Sequence, residues 1–357
     1  MTRIERLDTA GTKAARHERL YRAFDPSAAY EAVIAIHDTR RGPAVGGTRV
    51  REYPSRDAAI EDALRLSEGM TYKNALAGLP FGGGKAVILG PAPAEPGARA
   101  ELFRAHGRAI AELGGAFITG EDVGTTPADM EFIATQTAHV GGREGGMGDP
   151  SRFTARGVVR AMEAAAQERW GSPALVNRSV AIQGLGSVGA HLVRMLSERG
   201  ARLVVTDVDP ERIAVACVEQ TLEVVEPDAI LDVSVDILSP CALGGVLDAN
   251  SIERLDVAVV CGAANNQLAV PDADARMRSR GISYVPDYVA NAGGVISGAV
   301  DLAGWDTTRM DRAIDHIFNT VLEVFERADR EDLGCQRAAD FMAREVLSNS
   351  ARAGEAP

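Results

Sequence analysis

Lysine is almost missing from this chain. Of 38 Lys and Arg residues together, only three are Lys, at positions 13, 73 and 85. Arg carries nearly all the positive charge, and a guanidinium keeps its proton, whereas a partly buried Lys lowers its pKa and exchanges one near neutrality. Cysteine is sparse too: four residues, at 217, 241, 261 and 335, without a CxxC spacing. That excludes a disulfide scaffold and reads as reduced thiols in a cytoplasmic protein. Six histidines (17, 37, 106, 139, 191 and 316) form no HxxH or HxxxH pair, so no zinc-ligand spacing is present and no resident metal is expected. No run of about eighteen apolar residues occurs. The first residues, MTRIERLDTAG, lack an apolar signal core, so the expectation is a chain neither secreted nor membrane-spanning. An excess of positive charge is also absent. A net charge of -12 speaks against a nucleic acid or an anionic membrane as partner.

What is present is an ordinary globular composition, 46% hydrophobic and 25% charged over 357 residues, enough for two domains. Two of the three lysines fall in one segment, MTYKNALAGLPFGGGK, residues 70–85. Residues 31–37 and 46–50 read as strands. Ser55 reads as the cap of a helix whose apolar positions Ala59, Ile60, Ala63, Leu64 and Leu66 recur at helical spacing, ending near Met70 or running through Tyr72. Gly82 to Gly84 reads as a glycine-rich turn into a strand over 86–89, which puts Lys73 near a helix end and Lys85 at a strand mouth. A helix over about 99–113 and a strand over 116–119 follow, and the strand delivers Asp122 to its C-terminal end. GGREGGMGDPS, residues 141–151, is the best linker candidate. Beyond a helix over about 154–169, short apolar runs at 180–183, 203–206, 235–238, 257–260 and 283–285 read as buried parallel strands. The end of the chain reads as helical, over about 308–328 and 336–349.

Gly184-Leu185-Gly186-Ser187-Val188-Gly189 follows the strand SVAIQ and opens a helix. There the spacing lets the chain turn tightly and sets a pyrophosphate at a helix N-terminus, where N–H groups and the helix dipole favour an anion. The next strand ends in Asp207, where a carboxylate takes ribose hydroxyls and repels a 2'-phosphate, favouring NAD. Arg212 lies close enough to leave dual cofactor use open.

GGGK invites a phosphate-loop reading, which fails because Leu79 and Ala86 stand where that motif needs Gly and a hydroxyl. No GxSxG elbow occurs. Two lysines and Asp122 beside a nicotinamide remain. Removing hydride from Cα of an amino acid needs a cation on the α-carboxylate, an acid/base at nitrogen and a base to activate water, and Lys73, Asp122 and Lys85 supply these groups. Asp122 also reads as a turn carboxylate capping the helix near Thr126. A 2-hydroxy-acid dehydrogenase normally uses an Arg–His–carboxylate constellation, which the two-lysine segment argues against; a catalytically silent NAD-binding relative is the other alternative.

The sequence resembles the glutamate/leucine/phenylalanine/valine dehydrogenase superfamily, in particular its branch acting on apolar amino acids. The resemblance is carried by GGTR (46–49), MTYKNALAGLPFGGGK (70–85), GEDVGTT (120–126), GDPS with TARGV (148–158), GLGSVG, PCALGG (240–245), GAANNQL (262–268) and PDYVANAGGV (286–295). It implies an α/β protein with an N-terminal catalytic and oligomerisation domain, a C-terminal Rossmann domain and the cleft between them. The expected division is 1–145, joined by a C-terminal helix over about 335–357, and 146–334. It further implies that Lys73 binds the substrate carboxylate, Lys85 activates water and Asp122 handles protons on nitrogen. Val45, Gly46, Met70, Gly120, Asn266, Val295 and Gly298 would line the substrate. Thr154, Ala263, Asn265 and Asn291 would join Gly184 to Gly189 and Asp207 around NAD. Glutamate-specific relatives carry Lys at the place of Val45, and leucine-type relatives carry Ala and Val at those of Gly120 and Gly298. The implied function is reversible oxidative deamination of an apolar L-amino acid, leaning to bulky side chains, by a homo-oligomer. Arg152, where many relatives have Pro, departs from the pattern on the cofactor side.

Overall fold

The computed structural model describes residues 1–9, 13–143 and 146–354. The chain divides into two compact units. One comprises Met1–Gly148, Gly298–Gly304 and the chain from Arg344; the other comprises Asp149–Ser297 and Trp305–Ala343. The expected boundary at residue 145 falls on a residue outside the described ones, as do the last residues of the expected helix, 355–357.

The first unit is a six-stranded mixed sheet of β1 (Arg3–Arg6), β2 (Arg19–Asp25), β3 (Tyr30–Asp38), β4 (Ala44–Arg51), β5 (Gly82–Leu89) and β6 (Phe117–Glu121), in the order β1-β2-β3-β5-β4-β6. β3 and β5 pair antiparallel, while β5, β4 and β6 run parallel. Helix α1 (Arg56–Leu76) buries Ala59, Ala63 and Leu64 against Val33, Ala35 and Val87 on one face. On the other face α2 (Pro96–Ala111) and α3 (Pro127–Ala134) cover Ile34, Ile36, Ala86 and Ile88 with Phe103, Ile110, Met130 and Ile133.

Two expectations are corrected here. Gly82 to Gly84 is not a turn but the first part of β5. A Cβ on Gly83 would lie 2.1 Å from the Thr71 nitrogen of α1, and one on Gly84 would lie 2.7 Å from the Phe117 ring. The triplet therefore exists to let a helix and an aromatic ring close on a central strand from both sides, not to reverse the chain. In consequence Lys85 is the fourth residue of a buried strand rather than its mouth. Helix α1 runs through Tyr72, the longer of the two expected forms, and on to Leu76, because no breaker intervenes before Gly78, at φ +68°. Lys73 is thus in the last helical turn. Ser55 caps the helix as expected, accepting from the Ala58 amide at 3.2 Å.

The second unit is a parallel sheet of β7 (Ser179–Gln183), β8 (Arg202–Thr206), β9 (Glu223–Val224), β10 (Val235–Pro240), β11 (Val257–Val260) and β12 (Ser283–Tyr284), ordered β12-β11-β10-β7-β8-β9. This is a doubly wound dinucleotide-binding order, with its switch point between β7 and β10. Its helices are α4 (Ser151–Trp170), α5 (Ser187–Glu198), α6 (Pro210–Glu219), α7 (Ala249–Arg254), α8 (Ala273–Ser279) and α9 (Asp287–Ala290); α10 (Gly293–Ala303) is divided between the units, α11 (Thr307–Glu331) belongs to the second, and α12 (Cys335–Gly354) is again divided. α4 packs on α5 and α11, while Ala181, Val204, Leu238 and Val260 bury against Ile252, Ala273 and Met277. The C-terminal helix passes to the first unit at Arg344 rather than at its start. There Arg344 donates to the Tyr72 hydroxyl at 2.9 Å, and Arg41 donates to Ser350 at 3.0 Å.

Candidate active site

In the first unit a chain of alternating charges crosses three parallel strands. Lys85 on β5 is 5% exposed, and its Nζ lies 3.1 Å from Oδ2 of Asp122, the residue after β6. β4 stands between those strands, and its Gly47 pairs with Gly120. A Cβ on Gly47 would lie 2.8 Å from the Asp122 Cβ. The missing side chain thus lets the carboxylate lean over β4 to the amine. Arg49, also on β4, donates through Nε to the same Oδ2 at 2.8 Å and through Nη1 to Oδ2 of Asp62 at 3.1 Å. Asp62, on α1, also accepts from the Tyr53 hydroxyl at 2.6 Å and from Arg65 at 2.9 Å.

The electrostatics follow from that order. Burial pushes the Lys85 amine below its ordinary pKa, Asp122 opposes the shift, and Arg49 adds to it. Burial alone would raise Asp122, but Lys85 and Arg49 outweigh it and hold the carboxyl at about 2. The pair is a weakened ammonium beside a firmly ionised carboxylate, an arrangement suited to moving protons. Asp122 is therefore not the helix cap that its sequence also allowed: Thr126 caps α3 and forms a reciprocal box with Asp129.

The other expected substrate residues of this unit sit on its strands and helices as follows. Lys73 is half-buried on the last turn of α1, and Met70, also half-buried, is one turn earlier. Val45, 7% exposed, is on β4. A Cβ on Gly46 would meet the Gly84 oxygen at 1.8 Å and the Met70 Cγ at 3.4 Å, so no side chain fits there. Gly120 and Gly298 differ: among the described residues a Cβ at Gly120 would meet only the Gly141 oxygen at 3.9 Å, and one at Gly298 would meet nothing within 4 Å. Val295 and Asn266 belong to the second unit, not to this cluster.

In the second unit the glycine-rich loop joins β7 to α5. Gly184 has φ +103° and Gly189 approaches so closely that a Cβ would lie 2.0 Å from the Gly184 oxygen. At Gly186, the N-cap of α5, a Cβ would meet only the Arg212 Nη1, at 3.9 Å, and no side chain caps the helix. Ser187, Val188 and Gly189 therefore begin the helix with N–H groups that side chains leave to a ligand, and Leu185 closes the loop by donating its N–H to Asp207 at 2.6 Å. Asp207 also accepts from the Asp209 amide at 2.9 Å, and Arg212 stands 3.8 Å away. At the ends of β7 and β8, the buried Gln183 Oε1 and Thr206 Oγ1 have no hydrogen-bond partner among the described residues. An open cradle over an uncapped helix, a carboxylate after the next strand and unpaired polar atoms at the strand ends fit a dinucleotide. Asn291 donates to the Ala263 oxygen at 3.0 Å and to Asn265 Oδ1 at 2.9 Å, fixing the loop after β11, where Asn266 takes φ +55°. Thr154, in the first turn of α4, donates to the Pro150 oxygen at 3.1 Å, and Gly294 is bare where a Cβ would lie 2.6 Å from that hydroxyl.

Known proteins match along the whole of this architecture. The Glu/Leu/Phe/Val dehydrogenase dimerisation domain matches residues 19–139, and the glutamate/leucine/phenylalanine/valine dehydrogenase domain matches 145–211 and 205–353. The chain belongs to the glutamate/leucine/phenylalanine/valine dehydrogenase family. Within it, leucine dehydrogenase of Geobacillus stearothermophilus is 46% identical over 340 residues, 94% of this chain and 92% of the relative. Valine dehydrogenase of Streptomyces coelicolor is 45% identical over 94% of this chain and 93% of the relative. The crystal structure of L-tryptophan dehydrogenase from Nostoc punctiforme superposes with a TM-score of 0.82 at 40% identity, covering 94% of this chain and 97% of that one. As a member of this family the chain is an NAD(P)-dependent amino-acid dehydrogenase of the branch acting on apolar side chains. Among the described residues, no helix is long and apolar enough to cross a membrane, and no three His, Cys, Asp or Glu side chains gather as a metal site.

Sequence reasoning missed Arg49, Asp62 and Tyr53. Arg49 stood within the matched GGTR, but its partners lie 73 and 13 residues away, and only the strand register brings them together.

Proposed function

We propose that this enzyme catalyses the reversible NAD-dependent oxidative deamination of an apolar L-amino acid with a bulky side chain, giving the 2-oxo acid and ammonia, and that it works as a cytoplasmic homo-oligomer. The observation that carries the reading is the buried Lys85, 3.1 Å from an ionised Asp122. Lys73 anchors the substrate carboxylate. Asp122 takes a proton from the α-ammonium group, leaving the electron pair on nitrogen. The dinucleotide, when bound, supplies the hydride acceptor. Lys85 then takes a proton from water as its oxygen bonds to the iminium carbon and the π pair moves to nitrogen. Asp122 returns its proton to that nitrogen, the C–N bond breaks, and the carbonyl forms as the hydroxyl proton leaves to solvent.

Val45 stands where a cation would be needed for a second carboxylate, and burying that charge unpaired costs several kcal/mol, so glutamate is disfavoured. The open space at Gly120 and Gly298 supports a longer aliphatic or aromatic side chain, with Gly46, Met70, Val295 and Asn266 as further lining. The Asp207 carboxylate favours NAD over NADP, with Thr154, Ala263, Asn265 and Asn291 on the nicotinamide side. The test is NADH formation with L-leucine, L-valine, L-phenylalanine, L-tryptophan and L-glutamate at alkaline pH. Turnover of an apolar amino acid is expected; silence with all five refutes the function, and a preference for glutamate refutes the pocket.

A further inference from the structure

Asp122 has a fixed backbone and one doubly used oxygen. Its N–H donates to the Thr125 hydroxyl at 2.9 Å, and that hydroxyl donates back to the Asp122 carbonyl at 2.8 Å. Both cations, Lys85 and Arg49, meet the carboxylate at Oδ2. Oδ1 is the oxygen that neither uses. Arg49 is itself held by a second carboxylate, because Asp62 takes its Nη1 while Tyr53 and Arg65 hold Asp62. Arg49 and Asp62 are each 11% exposed, so water does little to loosen the grip.

The two cations are not equivalent. Lys85 must lose its proton to act as a base, and when it does Asp122 loses the charge of one of its two cationic partners. The guanidinium of Arg49 keeps its charge throughout. From this we infer that Arg49 is a positioning residue of the reaction, pinning Oδ2 of Asp122 so that Oδ1 is the atom that takes and returns the proton on the substrate nitrogen. The inference rests on the roles proposed above for Lys85 and Asp122. The step balances: an N–H bond of the substrate ammonium breaks, an O–H bond forms on Oδ1, and the electron pair stays on nitrogen. A lysine at position 49 would not replace the guanidinium, because one ammonium does not present two N–H groups in a fixed fork to two carboxylates. Among the described residues, the charged groups that act on the pair are Arg49 from β4 and Asp62 from α1, with Arg65 of α1 and Tyr53 of the loop between β4 and α1 bound to Asp62.

Arg49→Met, Arg49→Lys and Asp62→Asn test this, with folding checked by circular dichroism and pH profiles of kcat and kcat/KM recorded for each. Arg49→Met is expected to lower kcat about a hundredfold, the scale of a roughly 1 Å misplacement of a catalytic group, with KM changing far less. The ascending limb of its kcat/KM profile should move to higher pH, since Arg49 lowers the pKa of Lys85. Arg49→Lys should recover less than a tenth of the lost rate, and Asp62→Asn, which keeps both cations, should lose about tenfold in kcat. A second readout needs no turnover: the pH at which acetic anhydride begins to acetylate Lys85, followed by mass spectrometry, should rise in Arg49→Met. Arg49→Met or, if that variant does not fold, Asp62→Asn with kcat within threefold of the unaltered enzyme and an unmoved profile overturns the inference. If the unaltered enzyme turns over no amino acid, it is the proposed function that fails instead.

Discussion

In the first unit the site is made of side chains: a lysine, an arginine and two carboxylates packed among apolar residues on one sheet face. In the second it is made of their absence, with Gly184, Gly186 and Gly189 leaving backbone N–H groups and a cradle at a helix start. The difference predicts how each is damaged. A buried charge network suffers most when one member is deleted and its partner is left unpaired, at about 3–5 kcal/mol. A backbone site tolerates deletion and fails when atoms are added, since a Cβ brought within 2.0 Å of the Gly184 oxygen has nowhere to go.

Lys85→Ala and Gly189→Ala turn that contrast into opposite outcomes. The first should lower kcat about a thousandfold or more, the range of a lost general base, while dinucleotide binding followed by NADH fluorescence stays within twofold. The second should weaken NADH binding by about a hundredfold, since relieving the clash moves the loop by the scale of a lost close approach, and should leave the pH at which Lys85 is acetylated unchanged. Loss of NADH binding in Lys85→Ala, or its retention in Gly189→Ala, breaks the comparison.

A smaller effect separates the units in acid. The first unit buries His17, His37 and His106, at 8%, 8% and 0% exposure. The second carries His191 half-buried and His316 exposed. Burial holds the His37 ring down to about 4 and the His106 ring down to about 3, and it lowers His17. A depressed histidine binds its proton in the unfolded chain first, so its contribution is full above about 6.5 and is lost as pH falls toward the folded value. For His37 this is on the order of 3 kcal/mol across the window from 6.5 to 4. Asp122 adds nothing between pH 7 and about 5, because an unfolded carboxyl binds its proton only near its ordinary value; its contribution is lost below that, as pH falls toward the folded value of about 2. Hydrogen exchange between pH 7 and 5, corrected for intrinsic rates, should show protection lost in β3 and α1 before β7 and β8. Uniform loss across both sheets would remove this distinction.

Periodicity made much of this legible. Helix α1 with its cap, the apolar runs of the parallel sheet and the glycine loop with Asp207 all stand in the sequence, because each is specified by neighbours within a few residues. What escaped was specified by tertiary register. Strands β1 and β2 read RIER and RLYRAFD, a charged edge strand and the arginine-bearing strand beside it, and they lack a clean alternation. The Gly82 to Gly84 run carries a turn signature, yet what it answers to is Thr71 on one face and Phe117 on the other. Arg49 shows the same limit at the site. Its role depends on a carboxylate 73 residues away, and local pattern has no signal for that.

The finest test of the contrast concerns the one side chain on which the second site depends. Asp207 holds the loop through the Leu185 amide, and in the proposed function its charge also repels a 2'-phosphate. Two functions are combined in one carboxylate. Asp207→Asn separates them, because the amide oxygen still accepts from Leu185 while the negative charge is gone. Arg212, half exposed and now held only by Asp209 at 3.3 Å, would then be able to turn to an added phosphate. The ratio of Kd values for NADP and NAD, measured by calorimetry, should fall about tenfold, equivalent to about 1.4 kcal/mol. Most of that change should come from tighter NADP binding, with NAD weakened by the loss of one ribose acceptor. An unchanged ratio would mean that the carboxylate serves the loop alone, and that cofactor choice is made by the backbone like the rest of this site.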